Sequence, residues 1–237
     1  MININVWSDF ACPYCYIGEK RLCDAIKELK LENKVKVSYR AFELDPNALR
    51  EGKSTAAERI ASKYNMPLER AKAKVEEISR LGQEAGIKGF NYAGAIPSNT
   101  FDAHRVMKLA EAKYSEEVVH NLNVGLMDAY FVKNLVLGDW KVLRKIGEEA
   151  GMNGDEIDRM LETIDYGYEV RLDEDEARAM GVQGVPYFVV NNRLAIPGCI
   201  STENFADVLK KELENIPEDD STTSAAKSCG PEGCAIG

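Results

Sequence analysis

The chain has no apolar run of the eighteen or more residues that a membrane span needs, so no spanning helix is expected. Basic residues are not in excess either: 30 Lys and Arg face 39 Asp and Glu, a formal net charge of −9 over 237 residues. That balance disfavours nucleic acid and anionic membrane surfaces as partners. The first residues show no basic start, apolar core and small-residue cleavage site, so the expected location is cytoplasmic. No internal repeat is visible, and histidine occurs only twice. Six cysteines do not suggest a stapled scaffold. In a reducing compartment, paired thiols point instead to catalysis, redox sensing or metal binding. The acidic runs Asp173-Glu174-Asp175-Glu176 and Glu218-Asp219-Asp220 read as solvated faces or linker.

What is present is led by Cys12-Pro13-Tyr14-Cys15. The residues before it, Ile2 to Val6, alternate apolar and polar with a strand's period of two. Those after it place Leu22, Ile26 and Leu29 on one helical face. The motif therefore stands where a strand gives way to a helix. Unpaired amides and the macrodipole at that helix start favour a thiolate on Cys12. Pro13 suits the first turn, where its missing N–H costs nothing. Cys15 lies one turn inward, placed to attack a mixed disulfide on Cys12 and release the partner. Thiol–disulfide exchange is the expected chemistry, with Cys12 as nucleophile and Cys15 as resolving thiol.

A second strand is expected over Val35 to Phe42, and helices dominate the next 130 or so residues. One follows Pro67 with Leu68, Ala71, Val75, Ile78 and Leu81 on its apolar face and ends at Gly86. Another opens near Ser98-Asn99-Thr100 and carries Phe101, His104 and Met107. A third starts at Ser115, a fourth is capped by Asp139 and stops at Gly151, and a fifth bears Ile157, Met160, Leu161 and Ile164. A further helical stretch reaches Met180. Tyr187 to Val190, the Asn191-Asn192 turn and Arg193 to Ile196 read as a hairpin, and a last helix runs from Ser201 to Asn215. From Ile216 the composition becomes linker-like, yet it ends in Cys229-Gly230-Pro231-Glu232-Gly233-Cys234. Pro231-Glu232 is a natural turn centre, so a small Cys229–Cys234 disulfide loop is plausible. The twelve residues 217–228, as flexible coil, would span roughly 20 Å, enough to return the tail to Cys12 or to reach a neighbouring subunit. Cys23 and Cys199 read as buried thiols, and His120 as structural.

The order strand, C-x-x-C helix, strand, helical insert, Val-Pro hairpin and closing helix resembles the thioredoxin fold as DsbA-like proteins elaborate it. The sequence is similar to the cytoplasmic DsbA-like oxidoreductases of the FrnE type over roughly residues 1–215. The resemblance rests on Cys12-Pro13-Tyr14-Cys15, Phe42-Glu43-Leu44-Asp45-Pro46, Ser98-Asn99-Thr100 with Ala103-His104-Arg105, and Gly184-Val185-Pro186-Tyr187-Phe188-Val189. It implies an α/β thioredoxin fold with a large all-helical insertion. Residues 1–50 and 166–215 would form the thioredoxin-like domain, 51–165 the helical insertion and 216–237 a tail with a second cysteine pair. It further implies a cis bond before Pro186, a helix carrying Asn99 and His104 that overlooks the cleft, and a redox role for Cys229 and Cys234. Substrate would meet Tyr14, Val185, Pro186, Asn99 and His104. Where relatives tend to read Ser-Gly-Ala-Gln after the hairpin, this chain reads Pro197-Gly198-Cys199-Ile200.

The implied activity is that of a disulfide oxidase, reductase or isomerase. Its partners would be protein thiols and disulfides or low-molecular-weight thiols, with no cofactor and no resident metal. Oligomeric state is not fixed by the sequence, and a homodimer is allowed. Two other classes share features with the chain. Kappa-type glutathione transferases and hydroxychromene carboxylate isomerases have this fold and insert, with a serine where this chain has Cys12. Alternatively, Cys12, Cys15, Cys229 and Cys234 would make a four-thiolate zinc site in a redox-switch module.

Overall fold

The computed structural model of the chain describes residues 1–215. The elements are β1 (Ile2–Ser8), α1 (Pro13–Glu28), β2 (Val35–Ala41), α2 (Ala56–Lys63) and α3 (Leu68–Glu84). After a short 3-10 turn at Tyr92–Gly94 come α4 (Phe101–Lys113), α5 (Glu116–Phe131), α6 (Trp140–Ala150), α7 (Gly154–Leu161) and α8 (Gly167–Ala179). The chain then returns to strands, β3 (Tyr187–Val190) and β4 (Leu194–Pro197), and closes with α9 (Thr202–Glu214). This is a DsbA-like thioredoxin fold with a helical insertion.

The sheet order is β2-β1-β3-β4. β1 runs parallel to β2, with Ile2 opposite Val35 and Ser8 opposite Ala41. It runs antiparallel to β3, with Val6 opposite Phe188, and β3 and β4 form the hairpin. Alternation along β1 sorts its side chains to two faces. Ile2, Ile4 and Val6 pack with Leu22, Ala25 and Ile26 of α1 and with Phe205 and Leu209 of α9. Phe188 meets Phe205 edge-on at 5.0 Å, a contact worth about 1 kcal/mol beyond the area it buries. Trp7 faces the other way, against Ala177 of α8, Val182 and Val189. The largest apolar cluster lies outside the sheet, where Phe10, Cys12, Cys15 and Tyr16 join Phe90, Met107, Tyr130 and Phe131.

Helix ends follow local chemistry. Ser115, Asp139, Asn153 and Ser201 cap α5, α6, α7 and α9 through their side chains, and Gly151 closes α6 with φ of 102°. Helix α2, absent from the sequence reading, starts at a Thr55–Glu58 capping box.

Four expectations are corrected. Ile164 lies beyond α7 and is 91% exposed. Leu68, at the first turn of α3, faces solvent. The hairpin turn holds three residues, because Val190 pairs with Leu194, and both Asn191 and Asn192 are left-handed, with φ of 50° and 54°. Finally, the run at 173–176 is not a solvated face. Asp173 and Glu174 are buried and bind α8 to its neighbours. Asp173 accepts from the Ala41 amide at 2.8 Å and pairs with Lys108 at 2.6 Å and Arg40 at 3.2 Å. A helix turns different faces every residue, so two of four consecutive acids point inward.

Candidate active site

Cys12 is the N-cap of α1 and Pro13 follows it at the first helical turn. The loop between β1 and Cys12 is shaped by one buried side chain. Asp9 accepts from the Ala11 amide at 3.0 Å, the Thr100 hydroxyl at 2.9 Å and the Leu44 amide at 2.7 Å. Burial raises its pKa and these hydrogen bonds pull the other way. The Asp9 carbonyl also receives the Cys12 amide at 2.9 Å. One carboxylate thus ties together the motif loop, the loop after β2 and the start of α4.

The two thiols sit in different surroundings. Cys12 lines a cleft, and its thiol donates to the Val185 carbonyl at 3.5 Å. Val185-Pro186 is a cis peptide bond. Pro186 lies buried behind the cleft wall and packs closely on α1. A Cβ on Gly18 would stand 3.3 Å from both Pro186 and Phe188, a tight contact that would make those side chains give by a few tenths of an ångström. Cys15 is fully buried. Burial pushes its thiol well above the usual range, and the hydrogen bond with Cys12 and the nearby Glu19 charge push it further.

One turn beyond Cys15 on α1, Glu19 is buried and carries its proton unusually well. Burial pushes its pKa up to about 7, although Ser8 and Asn123 donate to it at 2.6 and 2.5 Å. The lost hydration outweighs the two donors. Behind it lies a cavity of about 360 Å³ shared with Cys23, Tyr39 and His120. Burial raises the Cys23 thiol to about 11.

The cleft at Cys12 encloses about 280 Å³. Its floor is Ala11 to Tyr14, one wall is Gln183 to Val185, and its roof is Arg59, Ile60 and Lys63 of α2, Tyr64 just beyond that helix, and Lys74 and Ile78 of α3. Among the residues expected to meet substrate, the structure brings Cys12, Tyr14 and Val185 to this cleft, with Pro186 behind them. Asn99 and His104 stand apart from its lining. Asn99 clips the loop after β2, donating to Glu43 and to the Pro46 carbonyl, both at 3.3 Å. His104 is buried under the motif loop, its ring 4.7 Å from that of Phe10. Burial, aided by the Lys108 charge, lowers its pKa to about 3. Its Nε2 has no hydrogen-bond partner among the described residues and lies 3.9 Å from Asp9.

Cys199 is half-buried, with the Arg21 guanidinium donating to its sulfur at 3.4 Å. Burial raises its thiol and Arg21 opposes the rise. Cys229 and Cys234 lie outside the described residues, as does the four-thiolate zinc arrangement that needs them. Asp9, Glu19 and the basic roof were not singled out from the sequence. Glu19 had a signal, an acid four residues after Cys15 on the helix face that also carries the buried Leu22 and Ile26.

Comparisons with known proteins bear on the family and the fold. The family model for the DSBA-like thioredoxin domain matches residues 3–210. The chain is 25% identical over 213 residues to the uncharacterized protein YwbO of Bacillus subtilis (strain 168), covering 89% of this chain and 97% of that one. It superposes on the probable DsbA oxidoreductase SCO1869 of Streptomyces coelicolor with a TM-score of 0.83 and 28% identity over the full length of both chains. The cytosolic disulfide reductase DsbM of Pseudomonas aeruginosa has the same fold, with a TM-score of 0.58 and 15% identity over 90% of this chain and 100% of that one.

Proposed function

The chain belongs to the DSBA-like thioredoxin domain family, and from that premise we propose that it exchanges thiols and disulfides, Cys12 attacking and Cys15 resolving. The observation that carries this reading is the asymmetry of the pair. Cys12 stands at a helix N-cap on an open cleft, whereas Cys15 is sealed one turn below with its proton held tightly. A thiolate at Cys12 meets the positive end of α1. It attacks a sulfur of the bound disulfide and forms a mixed disulfide. Cys15 then gives up its proton and attacks Cys12, leaving Cys12–Cys15 oxidised and the partner reduced. Run backwards, the same steps oxidise a dithiol.

An extended substrate would lie along Val185 and Tyr14, with residues 1–50 and 166–215 carrying the thiols and 51–165 supplying the roof. A cytoplasmic setting, where a reducing compartment keeps such thiols available for exchange, belongs to the same proposal. No helix among the described residues is long and apolar enough to cross a membrane. The tail pair Cys229/Cys234 is the second element of the proposal, an internal exchange partner for Cys12.

The test is turnover of a protein disulfide by wild type, Cys12→Ser and Cys15→Ser, with adducts mapped by mass spectrometry. Cys12→Ser is expected to be inactive. Cys15→Ser is expected to accumulate a mixed disulfide at Cys12, some of it with Cys229 or Cys234. Turnover by Cys12→Ser would overturn the assignment of the nucleophile. Unchanged turnover after removal of residues 216–237 would overturn the relay. Glutathione conjugation by Cys15→Ser protein, without disulfide exchange, would favour the transferase class instead.

A further inference from the structure

The cleft beside Cys12 has a charge opposite to that of the chain. Three of its lining residues are cationic, Arg59, Lys63 and Lys74, and none is a carboxylate, in a protein whose formal net charge is −9. Arg59 already faces Asp45 at 3.6 Å. Lys63 and Lys74, on α2 and α3, make no ion pair among the described residues; Lys63 rests 5.8 Å from the Tyr64 ring. The acid whose charge reaches Tyr14 is Glu77, one turn along α3, and it does not line the cleft. A cleft lined by one sign of charge raises the local concentration of the opposite sign.

Size narrows the occupant. About 280 Å³ is at the lower end of small-ligand sites. Cys12 is only 4% exposed at its floor, so the partner must bring its sulfur in on a slender arm. On the opposite wall, space stands open above Gly184, where a Cβ would meet nothing within 4 Å.

We propose that this cleft selects a small carboxylate-bearing disulfide or thiol, its acidic groups held by Lys63 and Lys74 while its sulfur meets Cys12. The proposal rests on the exchange chemistry assigned to Cys12 and names its substrate class. The Cys12 thiolate attacks one sulfur of the ligand. The ligand's S–S bond breaks, a bond to Cys12 forms, and the first thiol leaves with the proton that Cys12 gave up. Cys15 loses its proton and attacks the Cys12 sulfur. The Cys12–Cys15 bond forms and the second thiol leaves with that proton. Two protein thiols are oxidised and one ligand disulfide is reduced to two thiols.

The experiment is single-turnover oxidation of the full reduced chain by three disulfides: anionic oxidised glutathione, neutral 2-hydroxyethyl disulfide and cationic cystamine. The wild type is expected to prefer the anionic over the cationic probe by about tenfold or more, a preference that shrinks with added salt. In Lys63→Glu/Lys74→Glu the ratio of anionic to cationic rate is expected to fall by about tenfold or more. A ratio unmoved by the double substitution overturns the selectivity and leaves the exchange chemistry standing. Failure of wild type to react with any of the three overturns both. Faster reaction with an acidic peptide disulfide too long for the cleft than with oxidised glutathione assigns the basic roof to protein partners and overturns the small-molecule reading.

Discussion

Glu19 and His104 hold protons in opposite ways, and the difference can be measured. Glu19 is protonated up to about pH 7 in the folded chain but only to about 4.3 when unfolded. The folded state therefore binds the extra proton between those values, and the stability Glu19 contributes is lost as pH rises through them. His104 is neutral down to about pH 3 when folded but ionises near 6.5 when unfolded. Its contribution is present above 6.5 and is lost as pH falls toward 3. Relative to wild type, Glu19→Gln is expected to gain about 1.4 kcal/mol of stability per pH unit as pH rises from 4.5 to 7. His104→Leu should gain a similar amount per unit as pH falls from 6.5 to 4. Urea unfolding across that range reads both slopes; parallel curves for wild type and either variant would show that its proton is held otherwise. Glu19 also bears on chemistry, because its charge opposes ionisation of Cys15.

Among the elements, α8 is held by charge as much as by apolar contact. Asp173 accepts the Ala41 amide and faces Lys108, itself buried, while its backbone carbonyl receives the Trp7 indole N–H at 2.9 Å. Asp173→Ala leaves the buried Lys108 with Glu111 and the Tyr39 carbonyl and is expected to cost about 3 kcal/mol in urea unfolding. Asp173→Asn, which can still accept the amide, should cost less. A loss below about 1 kcal/mol would place the cluster among screened surface pairs. The same helix marks a limit of sequence reading. Composition shows four acids in a row, but not which of them will find Lys108 and Arg40, far along the chain. Caps behave differently, being local. Ser115, Asp139, Gly151 and Ser201 were legible because the group they satisfy lies within a turn. The Thr55–Glu58 box was equally local, yet α2 is short and its pattern was lost in a polar stretch. At the site, the motif was visible from residue type and spacing, and the Val-Pro step through the resemblance that accompanies it. Asn99 and His104 were assigned to substrate through the resemblance, whereas the fold sets Asn99 to clip the loop after β2 and buries His104 under the motif loop against Phe10. Only the folded chain shows which side of that loop faces the cleft.

At the scale of the whole molecule, the sheet supplies a platform and the helical segment closes over it. The motif loop is where the two meet. Phe10, Cys12, Cys15 and Tyr16 belong to one apolar cluster with Phe90, Met107, Tyr130 and Phe131, and Tyr16 donates its hydroxyl to Asp128 on α5. Substitution of Met107 by Ala removes side-chain volume from this cluster and should cost about 3 kcal/mol. Joining the two sulfurs at about 2 Å would change their contacts within this cluster, so the cost is expected to differ between the dithiol and disulfide forms. Melting each form of Met107→Ala beside wild type checks this; equal shifts in both forms would show that the cluster does not sense the bond.

That shared cluster makes the protein's electrochemistry a property of its architecture. Folding and oxidation form a closed thermodynamic cycle. The gap in unfolding free energy between dithiol and disulfide forms therefore equals the gap between the redox equilibria of the folded and unfolded chains. A packing change that moves the first gap by about 1.4 kcal/mol moves the midpoint potential by about 30 mV without touching sulfur. A calorimeter could then stand in for an electrode, and evolution could tune the couple from the far side of the helical bundle.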